Sequence, residues 1–270
     1  MSLEGSPKML EEVIICIIAG LCAGIGTGFA GMSAAVVIAP MLAVFLGVPA
    51  YQSVGIALAS DVLASACSAI TYAKSGHIDL KHGSLMLLTV LIFTLIGSSA
   101  AYELSKTNDS LLGGFSIFMT LFMGVKFLIQ PVNNAIDLRK YMNKTLKIIA
   151  ALVGGGIIGF VCGFVGAGGG MMMLFVLTTF LGYELKTAVG TSVFIMSFTA
   201  LTGALSHFIK SGGVYDMRAL IICAVVTLIT AFLSSVIANR TSNKNLNRAV
   251  GIMLTVIGII MVIFKVKFNI

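Results

Sequence analysis

Asp61 is the side chain whose setting most demands a chemical explanation. It stands in the middle of an apolar stretch, 53–73, with Ser60, Ser65 and Ser68 beside it. An aspartate at the centre of a membrane helix costs about 2.5–3.5 kcal/mol on insertion scales, so it reads first as a functional group. Neutral when protonated and repelling an anion when ionised, it suits proton coupling. The competing reading is a structural acid, protonated or paired with serines between helices. His207, near the end of the stretch 187–209, is the second candidate for proton coupling; an ordinary interfacial histidine is the alternative.

The second chemistry lies in the backbone. Gly28-Phe29-Ala30-Gly31 returns 135 positions later as Gly163-Phe164-Val165-Gly166, and the later copy runs on through Ala167 into Gly168-Gly169-Gly170. Irregular backbone at membrane depth survives where it is buried in protein or faces a water-filled cavity. A helix starting there points free N–H groups and the positive end of its dipole at whatever it faces. That combination holds an anion without a buried cation. Glycine spacing also serves close helix packing, which is the plainer reading for any single glycine. Thr191 and Ser192 open the segment 187–209, where a hydroxyl can cap a helix or reach an oxyanion; a local bond to their own backbone is the alternative.

The elements that must position these groups are membrane helices. The 270 residues are 58% hydrophobic and 10% charged, far below the charge of a soluble domain. Mean hydropathy is +1.07. The stretches 83–102 and 219–238 carry no charge and are each long enough to cross a bilayer that needs roughly 20 apolar residues. No short-period alternation suggests a barrel. The net charge of +7 comes from loop residues such as Arg139, Lys140, Lys144, Arg240 and Lys244, as the positive-inside rule expects, and does not point to nucleic acid. Cys16, Cys22, Cys67, Cys162 and Cys223 all lie in apolar segments without paired spacing, so they read as small hydrophobes and not as a disulfide or metal framework. The uneven spacing of His77, Asp79 and His82 argues against a metal site as well. The first apolar stretch lacks a cleavage signature and is expected to stay.

Ten helical pieces follow from the hydropathy: 13–27, 32–47, 53–73, 83–102 and 111–130, then 148–162, 168–182, 187–209, 219–238 and 248–265. They fall into two repeats, 1–130 and 148–270, joined by a cytoplasmic linker at 131–147. Besides the Gly-Phe phrase, Gly20, Gly24 and Gly55 match Gly155, Gly159 and Gly190 at the same offset, and with one residue added Lys74-Ser75-Gly76 matches Lys210-Ser211-Gly212. The first two pieces of each half are about 15 residues, or about 23 Å, short of a core of about 30 Å. Whether they span or re-enter stays open. Either way each half crosses an odd number of times, so the repeats are inverted; a parallel arrangement would have to fit about 50 Å of helix into one crossing. The expected fold is an all-α polytopic membrane protein of two five-segment inverted repeats, with Gly-broken short helices meeting near the midplane.

Gly163-Phe-Val-Gly-Ala-Gly-Gly-Gly, then Leu181-Gly182, Ala188-Val189-Gly190-Thr191-Ser192 and Lys210-Ser211-Gly212-Gly213-Val214, resembles the sulfite exporter TauE/SafE family, and both halves carry the pattern. The resemblance implies a membrane carrier of small anions, chiefly sulfite and organosulfonates. It implies a substrate site at Gly166, Gly168, Gly169, Gly170, Thr191 and Ser192, with Gly28, Gly31 and Ser33 from the first half. The first half departs from it: Ser33-Ala34-Ala35 stands where three glycines would, and Gly55-Ile56-Ala57 where Gly-Thr-Ser would. Pro40 fits the family's proline after the glycines and would kink or end its helix.

The function expected is secondary transport of small oxyanions, in the exporting direction and linked to protons, in a bacterial-type inner membrane. A passive anion channel is the alternative, using the same helix ends without a closed intermediate. Oligomeric assembly stays open, and no cofactor is called for. An enzyme is not expected: Gly31-Met32-Ser33-Ala34 lacks the last glycine of a nucleophile motif and an activating base. No phosphate-binding loop of the G-x-x-x-x-G-K-[ST] type is present, which argues against direct use of ATP.

Overall fold

The computed structural model describes residues 5–129, 144–166, 169–179, 181, 183–212, 215–240 and 243–268. Among these the chain is helical, with no strand. The elements are α1 (Gly5–Ala30), α2 (Ala35–Leu46), α3 (Ala50–Lys74), α4 (Leu80–Ile129), α5 (Lys144–Val165), α6 (Gly169–Thr179), α7 (Leu185–Lys210), α8 (Met217–Arg240) and α9 (Asn243–Phe268). Six of them are long and apolar enough to cross a membrane, and α2 is a shorter apolar helix. The α4 range is two arms broken at Asn108, whose φ of −156° and ψ of 84° leave the helix. Asn108 then caps the second arm, its side-chain oxygen accepting from the Leu111 N–H at 3.1 Å.

The helices run further than hydropathy indicates. Residues 5–12 belong to α1, 103–107 continue the first arm of α4, and 144–147, expected in the linker, open α5. Residues 131–143 of that linker lie outside the described residues. Charged helix formers such as Glu11, Glu12, Glu103 and Lys106 prolong a helix beyond its apolar run at little cost. Lys106 and Glu103 even pair along the helix at 3.0 Å.

Along α8 the buried positions are small or polar and the outward ones large and apolar, the reverse of a soluble protein. On α8, Ala219, Cys223, Thr227, Ala231, Ser234, Ser235 and Ala238 face inward. Ile221, Val225, Ile229 and Ile237 are about half exposed. Small inward residues let backbones approach where no hydrophobic effect drives helices together. α1 packs on α8 this way: a Cβ on Gly24 would meet the Ala231 nitrogen at 2.8 Å. α5 packs on the first arm of α4, where a Cβ on Gly159 would meet the Val90 carbonyl at 2.3 Å.

Two polar contacts complete the helix ends. Pro40 has no N–H, so it leaves the Val36 carbonyl without its helical partner. The Thr120 hydroxyl, from the second arm of α4, donates to that carbonyl. α3 starts after Pro49, which offers no side-chain cap. The Asp109 carboxylate supplies one from beyond the α4 break, accepting from Ala50 N at 2.6 Å and Tyr51 N at 3.2 Å.

Candidate functional site

Asp61 is fully buried on α3 and faces the turn between α1 and α2. The Ser33 hydroxyl lies 2.8 Å from its Oδ2, and the Ser65 hydroxyl donates to Oδ1 at 2.7 Å. The Ala34 N–H also points to the carboxyl. Ala34 is the N-cap of α2 and makes no side-chain cap of its own, so Asp61 serves the start of α2 as a capping carboxyl brought from the next helix. Ser33 reaches further. Its Oγ is 3.0 Å from the carbonyl oxygen of Gly166 and accepts from Ala35 N at 3.3 Å.

The two glycine joints touch. Gly31, with φ +60°, separates α1 from α2; Gly166, with φ +71°, follows α5. Both need the left-handed region that glycine enters without strain. A Cβ on Gly170, in the first turn of α6, would lie 2.0 Å from the Gly31 carbonyl oxygen, and one on Gly166 would lie 3.1 Å from the Ala35 Cβ. Gly169 sits more loosely, against Cys162 and the Met196 sulfur at 3.2 Å. Gly168 lies outside the described residues. Gly28 faces away, its α-carbon held against α8 where an added Cβ would be 2.6 Å from the Ala231 carbonyl oxygen.

Thr191 and Ser192 do not open their helix. α7 begins at Leu185 with Glu184 in the N-cap position, so both residues lie past its first turn and both are buried. Their hydroxyls have other work. Thr191 Oγ1 accepts from Asp79 N at 3.1 Å, tying α7 to the turn after α3, while Ser192 donates to Val189 O at 2.8 Å. Ser192 still borders the joint, since a Cβ on Gly31 would lie 2.5 Å from its Oγ. Asp79 in turn accepts from the Tyr183 hydroxyl at 2.7 Å.

His207 is fully buried in the last turn of α7. Its ring stacks on Tyr51 with centroids 4.1 Å apart, and both nitrogens face carbonyl oxygens: Nδ1 to Tyr51 at 3.2 Å and Nε2 to Gly163 at 3.1 Å. Helix α5 ends two residues after Gly163, leaving that carbonyl in need of a donor. Tyr72 does the same for the other joint, its hydroxyl donating to Gly28 O at 3.0 Å. Sequence reasoning missed Tyr72. The available signal was its place, 135 positions before His207, the same interval that separates the glycines they serve.

The sequence profile described as Sulfite exporter TauE/SafE matches residues 16–261, which holds both joints and every contact above. The chain belongs to the TauE/SafE family. This TauE/SafE member is 28% identical over 227 residues to the probable membrane transporter protein YunE of Bacillus subtilis, covering 77% of this chain and 82% of that one. It is 24% identical over 263 residues to a probable membrane transporter protein of Methanocaldococcus jannaschii, covering 92% and 95%. A probable membrane transporter protein of Haemophilus influenzae is 23% identical over 212 residues, covering 76% and 77%. No solved structure matches the chain. Membership makes this a multi-pass protein of a membrane transporter family.

Proposed function

We propose that the protein is a secondary transporter of small oxyanions such as sulfite or organosulfonates, exporting them across the inner membrane, with the solute held where the two glycine joints meet. The observation that carries this reading is the contact of Gly170 with the Gly31 carbonyl, which brings the start of α6 against the turn between α1 and α2 inside the protein. Helix starts supply N–H donors and positive dipole ends that suit an oxyanion. The substrate residues in this reading are Gly28, Gly31, Ser33, Gly166, Gly168, Gly169, Gly170, Thr191 and Ser192. Gly31, Ser33, Gly166, Gly170 and Ser192 lie closest to the meeting point. Membership of a transporter family supports a role that is not enzymatic.

An inverted repeat of 1–130 and 148–270 about a cytoplasmic 131–147 linker is part of the same reading. Positive φ at Gly31 and Gly166, and again at Gly76 and Gly212, supports it. So does the pairing of Tyr72 with Gly28 against His207 with Gly163, and of α1 with α8 against α5 with α4. Such repeats rocking about a shared site give alternating access.

Proton coupling at Asp61 follows from its place. Ionised, Asp61 is a tethered anion at the start of α2. Protonation withdraws that charge and leaves the donors for a solute anion, so proton and anion travel together. His207, gripping the other joint, is the second proton-coupling residue.

The test is uptake of radiolabelled sulfite into liposomes reconstituted with the purified protein. Sulfite preloaded inside is expected to accelerate uptake, as an alternating carrier requires. Uptake no greater than in protein-free liposomes overturns the reading. Conductance without acceleration by internal sulfite assigns a channel instead.

A further inference from the structure

Ser33 has one hydroxyl proton and two acceptors within reach. Asp61 Oδ2 is at 2.8 Å and Gly166 O at 3.0 Å, and Ser33 Oγ already accepts from Ala35 N. The three groups are buried, so no bulk water makes up a missing bond. With Asp61 ionised, the hydroxyl donates to the carboxylate and Gly166 O loses that donor. With Asp61 protonated on Oδ2, the acid O–H donates to Ser33 Oγ and the Ser33 proton turns to Gly166 O. Every proton then has an acceptor, and Oγ uses both lone pairs.

The geometry points to Ser33 as the positioning residue that passes the protonation state of Asp61 to the Gly166 joint, fastening the end of α5 when the acid is protonated and releasing it when the acid ionises. This rests on the reading of Asp61 as a proton site and adds how the first half instructs the second. Gly166 is suited to respond, because α5 stops just before it and its φ of +71° is a conformation that glycine holds without strain. The switch is one-sided. Met196 stands 135 positions after Asp61, so the second half holds no acid at the matching place.

Among the described residues, three further groups bear on Asp61 and the stretch it faces. Ser65 on α3 donates to Oδ1, the other carboxyl oxygen. The Cys162 thiol faces Asp61 from α5. From α7, His207 holds the same stretch of α5 at Gly163 O, so its own titration also acts on that stretch. Its effect is separated by working in the His207→Gln background as well.

The experiment is amide hydrogen exchange of residues 162–166 in the full-length protein in lipid nanodiscs, compared at about pH 5 and about pH 8 after correction for intrinsic rates. Wild type is expected to exchange about fivefold more slowly at the lower pH, the scale of one hydrogen bond. Ser33→Ala is expected to lose that difference and Ser33→Thr to restore it, with and without His207→Gln. Ser65→Ala should keep it. Asp61→Asn, whose amide donates to Ser33 Oγ at every pH, should be protected throughout. A pH difference of wild-type size in Ser33→Ala or in Asp61→Asn overturns the proposal, and so does its absence from wild type. Sulfite flux is not part of the readout, so a protein that moves no sulfite can still pass or fail this test.

Discussion

Gly170 of α6 lies directly against the carbonyl of Gly31, with no room for even a methyl group between them. A Cβ there would come within 2.0 Å of the oxygen, and backbone on both sides leaves no flexible side chain to give way. Gly169 next to it would meet only the Cys162 side chain and the Met196 sulfur at 3.2 Å, both able to shift. Gly170→Ala is therefore expected to cost about 1–3 kcal/mol from overpacking, and Gly169→Ala less. Thermal unfolding in detergent, read beside labelled-sulfite uptake, checks both. Equal losses in the two variants would show that the joint is not held by this contact.

Thr120 and Pro40 form a coupled pair through the Val36 carbonyl. Thr120→Val should lose about 1–3 kcal/mol by leaving a buried acceptor without a donor. In a Pro40→Ala background the helix regains its own N–H at residue 40, and the same Thr120→Val change should cost markedly less. A double-mutant cycle on unfolding free energies reads the coupling directly. Strict additivity would remove the explanation given for Thr120.

Asp109 caps α3 from a distance of 59 residues. Asp109→Ala should destabilise by about 0.5–2 kcal/mol, as for loss of an N-cap. Asp109→Asn keeps one acceptor oxygen and should retain part of the cap. Raised amide exchange at Ala50 and Tyr51 in Asp109→Ala is the local signature, and unchanged exchange there would contradict it.

Tyr183 lies outside the spans, in the turn before α7. Burial, and then the Asp79 carboxylate that accepts its proton, push the Tyr183 phenol above its ordinary value of about 10. A group raised on folding adds stability that is complete below its unfolded pKa and fades as pH climbs towards its folded one. The stability difference between wild type and Tyr183→Phe should thus hold steady below about pH 10 and shrink above it. Denaturation followed from neutral to alkaline pH measures this, and a difference that grows with alkalinity contradicts it.

Helices were legible wherever they coincide with the hydrocarbon core, because lipid imposes an unbroken apolar run. Their true ends were not. Residues 5–12, 103–107 and 144–147 are polar and helical, and hydropathy registers where the bilayer stops, which is not where the helix does. The same gap explains Thr191 and Ser192. Read as the opening of a segment they looked like caps, whereas α7 starts at Leu185 and Thr191 spends its hydroxyl on the Asp79 N–H.

The sequence by itself determined that this is a helical membrane protein and that an acid sits deep in its third apolar stretch. Those facts are local: span length and the cost of burying a charge act within a few residues. It ended the first pieces of the two halves at 27 and 162, whereas α1 and α5 run on through Gly28 and Gly163 to Ala30 and Val165. Only the tertiary structure decided that Ser33 stands between Asp61 and Gly166, that Tyr72 and His207 serve the carbonyls of Gly28 and Gly163, and that Thr120 repairs the helix at Pro40. In a medium without water, each unpaired carbonyl takes whichever donor helix packing brings against it, and that donor lies 44 to 133 residues away along the chain.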